Sequence, residues 1–147
     1  MQKFTEQSRI ENRDLVVEDP RLRSVFDFLF SKTMAFLFEK LDVYKKAVDL
    51  ADSIYELTKD FPKGSYYMAD QLNRASLSIS ANIAEGNGRY TKADRMNFFR
   101  IARGSAFECV PILEICSHRG LIDNVKSKLM KKTLEDISKM LSGLMNY

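Results

Sequence analysis

The 147-residue chain is predicted to be all-α: an antiparallel up-down four-helix bundle with an N-terminal extension. Three observations predict this. Leu, Ala, Lys, Glu and Met are plentiful, whereas the chain has only 6 Gly, 3 Pro and no Trp, a composition that favours helices over sheets. Apolar residues recur in steps of three and four through four segments. Short stretches with Gly, Pro or a capping side chain separate those segments, so each helix should pack beside its predecessor, with no long crossover.

The extension covers residues 1–35 and the bundle residues 36–147. Residues 1 to about 19 are polar, mixed in charge and aperiodic, which predicts a flexible segment. Pro20 can open a helix with Asp19 as its cap. Residues 21–38 are strongly apolar. They suit a short amphipathic helix docked on the body or on another subunit, and they equally suit sequence upstream of a functional start at Met34.

The first bundle helix is predicted over about 41–59, with Leu41, Tyr44, Val48, Ala51, Tyr55 and Thr58 on its inner face. Phe61-Pro62-Lys63-Gly64 ends it. The second spans about 65–85 on a stripe of Met68, Leu72, Ala75, Ile79 and Ile83, with Asn82 on the same stripe. Ser76, Ser78, Ser80, Ala81 and Ala84 narrow its second half, and Gly86 stands where a left-handed cap is expected.

Thr91, with Asp94 three residues on, can cap a third helix reaching about Ser117. Its core face is predicted as Phe98, Ile101, Ala102, Ser105, Cys109, Ile112, Leu113 and Cys116. Pro111 should bend it by removing a backbone donor, and Gly120 should close it. Asp123 can cap the fourth helix, about 124–145, with Leu129, Leu134, Ile137, Leu141 and Leu144 inward. On the third helix Phe99, Phe107 and Val110 fall outside the inner stripe. Contact with another subunit is the preferred explanation, with cover by residues 21–38 or simple exposure as alternatives.

The net charge is +3. Residues 1–33 hold six Lys/Arg and six Asp/Glu, so the excess lies entirely beyond them. Two clusters carry it. Arg89, Lys92, Arg95, Arg100 and Arg103 accompany only Asp94, and Lys126, Lys128, Lys131 and Lys132 have no acid among them. A solvated face is one reading of this pattern. The other is a surface that contacts phosphates of RNA or DNA, driven by charge and weakened by salt.

Cys109 and Cys116, seven apart, share a helix face roughly 10 Å apart, too far for a disulfide. They read as small core residues in a reducing compartment, and with His118 they lack a metal-ligand spacing. The polar start has no signal-peptide order, and no apolar run approaches the roughly 20 residues that span a bilayer. The expectation is a cytoplasmic protein with no membrane partner, no metal and no cofactor.

L-D-V-Y-K-K-A, then Q-L-N-R-A-S-L-S-I-S-A-N-I-A-E-G-N-G-R, then F-F-R-I-A-R-G-S-A-F-E-C, resemble a family of small bacterial four-helix-bundle proteins. These were first noticed as reading frames in intervening sequences of 23S ribosomal RNA. The resemblance covers about residues 36–145. It implies an antiparallel bundle that assembles into a ring or barrel, pentameric in the similar accessory proteins of diversity-generating retroelements. Those accessory proteins are basic, bind nucleic acid and associate with a reverse transcriptase. The resemblance brings no enzymatic activity with it. The family's motif positions fall on Asn82, Glu85, Gly86, Gly88, Arg89, Gly104, Ser105 and Glu108. Pro111 departs from a helix that the family usually keeps regular, and residues 1–33 have no counterpart.

The motif reads as architecture. A buried Asn82 must find hydrogen-bond partners, at a cost of roughly 1–3 kcal/mol if it does not, so it should clamp helix register. Glu85 can pair with Arg89, or with Arg100 or Arg103 across the turn. Glu85 and Glu108 as an acid/base pair would lack a nucleophile, a histidine or a metal beside them. Gly86-Asn87-Gly88-Arg89 lacks the strand and the Lys-Ser/Thr ending of a phosphate loop. The sequence therefore predicts a non-enzymatic oligomeric adaptor that binds nucleic acid or a nucleic-acid enzyme through basic surface. A protein–protein scaffold is the alternative.

Overall fold

The computed structural model describes residues 36–146. The expectations for the extension before Phe36 lie outside them. After a 3-10 turn at Leu37–Lys40 come four helices: α1 (Asp42–Thr58), α2 (Tyr66–Asn87), α3 (Lys92–His118) and α4 (Asn124–Met145). There is no strand among the described residues. Each helix packs on its chain neighbours, α4 closes back on α1, and no diagonal pair touches, which is the plan of a four-helix bundle.

Cross-helix bonds fix the directions. Ser78 lies opposite Ser105 and Gly86 opposite Phe98 and Phe99, so α2 and α3 run antiparallel. Arg103 meets Ser138 and Glu114 meets Lys131, which makes α3 and α4 antiparallel as well. The core holds Ile54, Leu72, Ile79, Ile83, Leu113, Ile137 and Leu141, all fully buried.

The connections form as their residue types dictate. Thr91 accepts the Asp94 amide at 3.1 Å, and its hydroxyl donates to the Asp94 carboxylate at 2.7 Å. Asp123 accepts the amides of Val125 and Lys126 at 2.8 and 3.2 Å. Gly120, with φ 69°, ends α3 in a left-handed cap: the Leu121 amide donates to the Cys116 carbonyl and the Gly120 amide to that of Ser117. The helix runs unbroken through exposed Pro111 and continues about two turns beyond it.

One expected face is rotated, and two others depart from expectation at single positions. On α1 the buried residues are Val43, Ala47, Leu50, Ile54 and Thr58, whereas Val48 and Tyr55 are exposed. The helix carries two apolar stripes one residue apart, about 100° around the axis. The aliphatic stripe wins because a tyrosine hydroxyl sits more readily at the water boundary. On α3, Phe99 and Ala106 are buried, Ile101 is exposed, and Phe98 and Ile112 are half-buried. On α4, Leu129 is 68% exposed and Ser127 takes the inner place. Leu129 precedes Leu134 by five residues, about 140° around the helix, so the two cannot share a face.

Candidate functional site: motif seam and charged hairpin

The motif of α2 and α3 is a packing seam, the most extensive helix–helix contact of the bundle. Gly86 is inside α2 and buried, not a left-handed cap; a Cβ there would lie 3.0 Å from Phe98 Cβ and 3.0 Å from the Phe99 ring. This close approach draws Phe99 into the core at 3% exposure. Phe99 is therefore not available as an oligomer contact, whereas Phe107 stays 53% exposed and Val110 half-buried. Gly88 ends α2 in right-handed backbone, its amide donating to the carbonyls of Ala84 and Glu85.

Asn82 is half-buried and not on the core stripe. Its amide donates to Ser78 of its own helix, to the carbonyl at 2.7 Å and to the hydroxyl at 3.0 Å. Ser78 and Ser105 hydroxyls bond across the seam at 2.9 Å, and Ser105 also donates to the Ile101 carbonyl. Asn82 thus reaches α3 only through Ser78. The direct amide clamp belongs to Asn73, which the sequence reading missed. Its Nδ2 donates to Thr58 Oγ1 at 2.7 Å, joining α2 to α1.

Every seam carries at least one polar link. Arg103 Nε donates to Ser138 Oγ at 3.2 Å between α3 and α4. Lys46 pairs with Asp136 at 3.6 Å across the weakest seam, α4 to α1. Among the described residues, no buried side-chain nitrogen or oxygen lacks a partner.

The two carboxylates of the motif do not meet. Glu85 pairs with Arg89 at the end of α2, level with Phe98 and Phe99. Glu108 lies nine residues beyond Phe99, about 14 Å along the axis. Burial pushes the Cys109 thiol up to about 12, helped by the Glu108 charge. Burial also raises Cys116, against the opposing pull of Arg119. Both are free thiols that stay protonated at neutral pH, as core residues do. No group of three His, Cys, Asp or Glu side chains gathers to hold a metal among the described residues. No helix described is long and apolar enough to cross a membrane.

The nine basic candidates divide. Arg89 is tied to Glu85 and lies 4.6 Å from the Phe98 ring centroid. Lys131 pairs with Glu114 at 3.3 Å. Lys132 pairs with Glu135 at 3.2 Å and Asp136 at 3.5 Å. The bond to Glu135 holds the lysine above its usual range, and Lys139, then Lys132, hold Glu135 below its own. Arg103 leans on the Phe107 ring at 4.8 Å and is half-buried rather than turned away from the core. Arg95, Arg100, Lys126 and Lys128 make no ion pair among the described residues. Lys92 and Arg95 line a hollow at the start of α3, with Leu144 from the end of α4. Lys128 and Lys131 line another at the opposite end, beside His118. The two hollows are thus about 30 Å apart along the α3–α4 hairpin, with Arg103, bonded to Ser138, standing between them about 10 Å from the level of Lys131, so the basic residues are strung along the hairpin rather than gathered at one spot.

What unites them is the hairpin they share. Residues 89–147 hold eleven Lys/Arg against six Asp/Glu, and residues 36–88 hold six against eight. Fold and charge together define a four-helix bundle with a basic hairpin and a mildly acidic one, joined by a small-residue seam.

The chain belongs to the 23S rRNA-intervening sequence protein family, whose model matches residues 39–143. Its fold is similar to a crystal structure of a protein of unknown function from the S23 ribosomal protein family of Bacteroides thetaiotaomicron. The TM-score is 0.63 at 26% identity, over 71% of this chain and 99% of that one. Comparison with curated proteins finds no match.

Proposed function

We propose that this protein is a non-enzymatic, oligomeric helical-bundle adaptor that associates with nucleic acid, or with a nucleoprotein such as a nucleic-acid enzyme, through the α3–α4 hairpin. The observation that carries the reading is the charge partition: five excess positive charges on that hairpin against two excess negative charges on α1–α2. Phosphate contacts need only such a field, without base readout. Among the described residues, Arg95, Arg100, Lys126 and Lys128 make no ion pair that a phosphate would have to displace. Assembly repeats them around the oligomer. The 23S rRNA in the family's description and the ribosomal label of the structural relative lean the same way. The setting implied is cytoplasmic.

Filter binding of RNA and DNA across a salt series tests this. Binding that weakens steeply as salt rises is expected. A folded protein that binds neither polymer at low salt would overturn the direct-contact reading. The second reading, a protein–protein scaffold, rests on the apolar side chains exposed on both hairpins, Val48, Tyr55 and Leu77 on one and Phe107 on the other. A partner protein recovered after nuclease treatment, with no nucleic-acid binding by the pure chain, would favour it.

A further inference from the structure

Tyr90 stands in the short connection from α2 to α3 and is 102% exposed, the most exposed large apolar side chain among the described residues. It makes no hydrogen bond and no ring contact among those residues. The backbone beneath it is nonetheless fixed on both sides. The Arg89 amide donates to the Gly86 carbonyl at 3.2 Å, and Thr91 caps α3 by accepting the Asp94 amide at 3.1 Å. Arg89 itself is tied to Glu85 and lies over the Phe98 ring. An aromatic ring that contributes nothing to the core is thus held out into water on a braced turn.

Its surroundings supply what a nucleic-acid strand presents on either side of a base. Lys92 and Arg95 follow on the first turn of α3. Asp94, the acid between them, is turned back to accept from the Thr91 hydroxyl at 2.7 Å. Lys92 and Arg95 also line a hollow of about 260 Å³, together with Asn87 and the apolar Met96, Phe99 and Leu144. Polar donors beside apolar walls suit a flat heterocycle. The hollow at the far end of the hairpin has no apolar side chain in its lining. Tyr67, at that end, is held through its hydroxyl by Arg119 at 2.5 Å.

We propose that the α2–α3 end of the bundle binds single-stranded nucleic acid, with Tyr90 as the stacking platform for one base and Lys92 and Arg95 on the adjoining phosphates. A ring stacks only on a base whose face is uncovered. A duplex covers both faces of every interior base, so Tyr90 favours a single strand, whereas the basic side chains draw in either polymer. The proposal rests on the nucleic-acid reading and deepens it: charge attracts the polymer, and Tyr90 selects its form.

The test is the affinity of the full chain for single-stranded oligouridylate, single-stranded oligothymidylate and an RNA duplex, across a salt series. Tyr90→Ala should bind both single strands roughly 5- to 100-fold more weakly. Its salt slope should match wild type, because no cation is removed, and its affinity for the duplex should be unchanged. Tyr90→Phe keeps the ring and should bind as wild type does. Arg95→Ala should weaken single strand and duplex alike and reduce the salt slope by about 1. Circular dichroism checks folding, which an exposed side chain should not alter. Wild type that binds no polymer overturns the nucleic-acid reading and this proposal with it. Wild type that binds, with Tyr90→Ala equal to it on single strands or equally impaired on the duplex, overturns this proposal alone. So does a loss on only one of the two single strands, or a Tyr90→Phe variant that falls with Tyr90→Ala.

Discussion

The α1–α2 hairpin is held by an amide, Asn73 on Thr58, and the α3–α4 hairpin by a guanidinium, Arg103 on Ser138 and over Phe107. A groove along the first is lined by Asp52 and Asp70, and one along the second by Lys131 and Lys139 with Glu135. They have the same architecture and serve the same core, yet their outer surfaces are opposite in charge. The difference teaches that the bundle has a direction. Its inside is nearly symmetric in chemistry, and its outside distinguishes one flank from the other. The residues that join the flanks are therefore structural, and those that distinguish them are the ones available for function.

Breaking the joint should have the largest effect. Gly86→Val pushes a branched side chain into Phe98 and the Phe99 ring, where even a Cβ would stand at 3.0 Å. It should destabilise the fold by about 1–3 kcal/mol, seen as a lower denaturant midpoint. Next come the links within each hairpin. Asn73→Ala and Arg103→Ala should each cost about 1 kcal/mol. Similar losses would support two hairpins held equally well; a negligible loss at Arg103 would show its side chain is held for the surface instead. Gly104 runs the other way. It is a mid-helix glycine with open space at its Cβ, so Gly104→Ala should stabilise the isolated chain by about 0.5–1 kcal/mol. If Gly104→Ala weakens self-association while raising the melting temperature, the open space belongs to a neighbouring copy. The smallest effect is expected at the closing seam. Lys46→Ala removes an ion pair with both side chains more than a third exposed, and should change stability by no more than about 0.5 kcal/mol.

Much of the fold was legible in the sequence. The stripe Met68, Leu72, Ala75, Ile79, Ile83 is buried as its spacing predicts, and the caps Thr91, Asp123 and Gly120 form where their chemistry predicts. The largest failure has a simple cause: periodicity finds an apolar stripe but does not choose between two. Helix α1 offers both Val43-Ala47-Leu50-Ile54 and Tyr44-Val48-Ala51-Tyr55; spacing predicts the second as the core, and the first is buried. The tyrosines of the second argue for the boundary, and it lines a groove. Gly86 was legible as important but for the wrong reason, since a close approach by Phe98 and Phe99 is a tertiary fact that no local spacing encodes. The same approach moved Phe99 from the surface to the core. The basic residues were legible as two clusters in sequence. Their placing along one hairpin, with Arg103 between the two end hollows, follows only from the antiparallel path, and the neutralisation of Lys131 and Lys132 only from acids on and across their helices. Asn73 carried a usable signal: it adjoins the core stripe, facing the end of α1.

The central claim is that the two hairpins differ in function because they differ in charge. The direct measurement is the salt dependence of RNA binding by three proteins. One is wild type, one carries Arg95→Ala, Arg100→Ala and Lys128→Ala on the α3–α4 hairpin, and one carries Lys45→Ala, Lys59→Ala and Lys63→Ala on the α1–α2 hairpin. For the first triple variant, the slope of log affinity against log salt should become shallower by about 2–3. For the second it should stay at the wild-type value. Equal losses in the two triple variants, or a wild-type slope in the α3–α4 variant, would contradict the account.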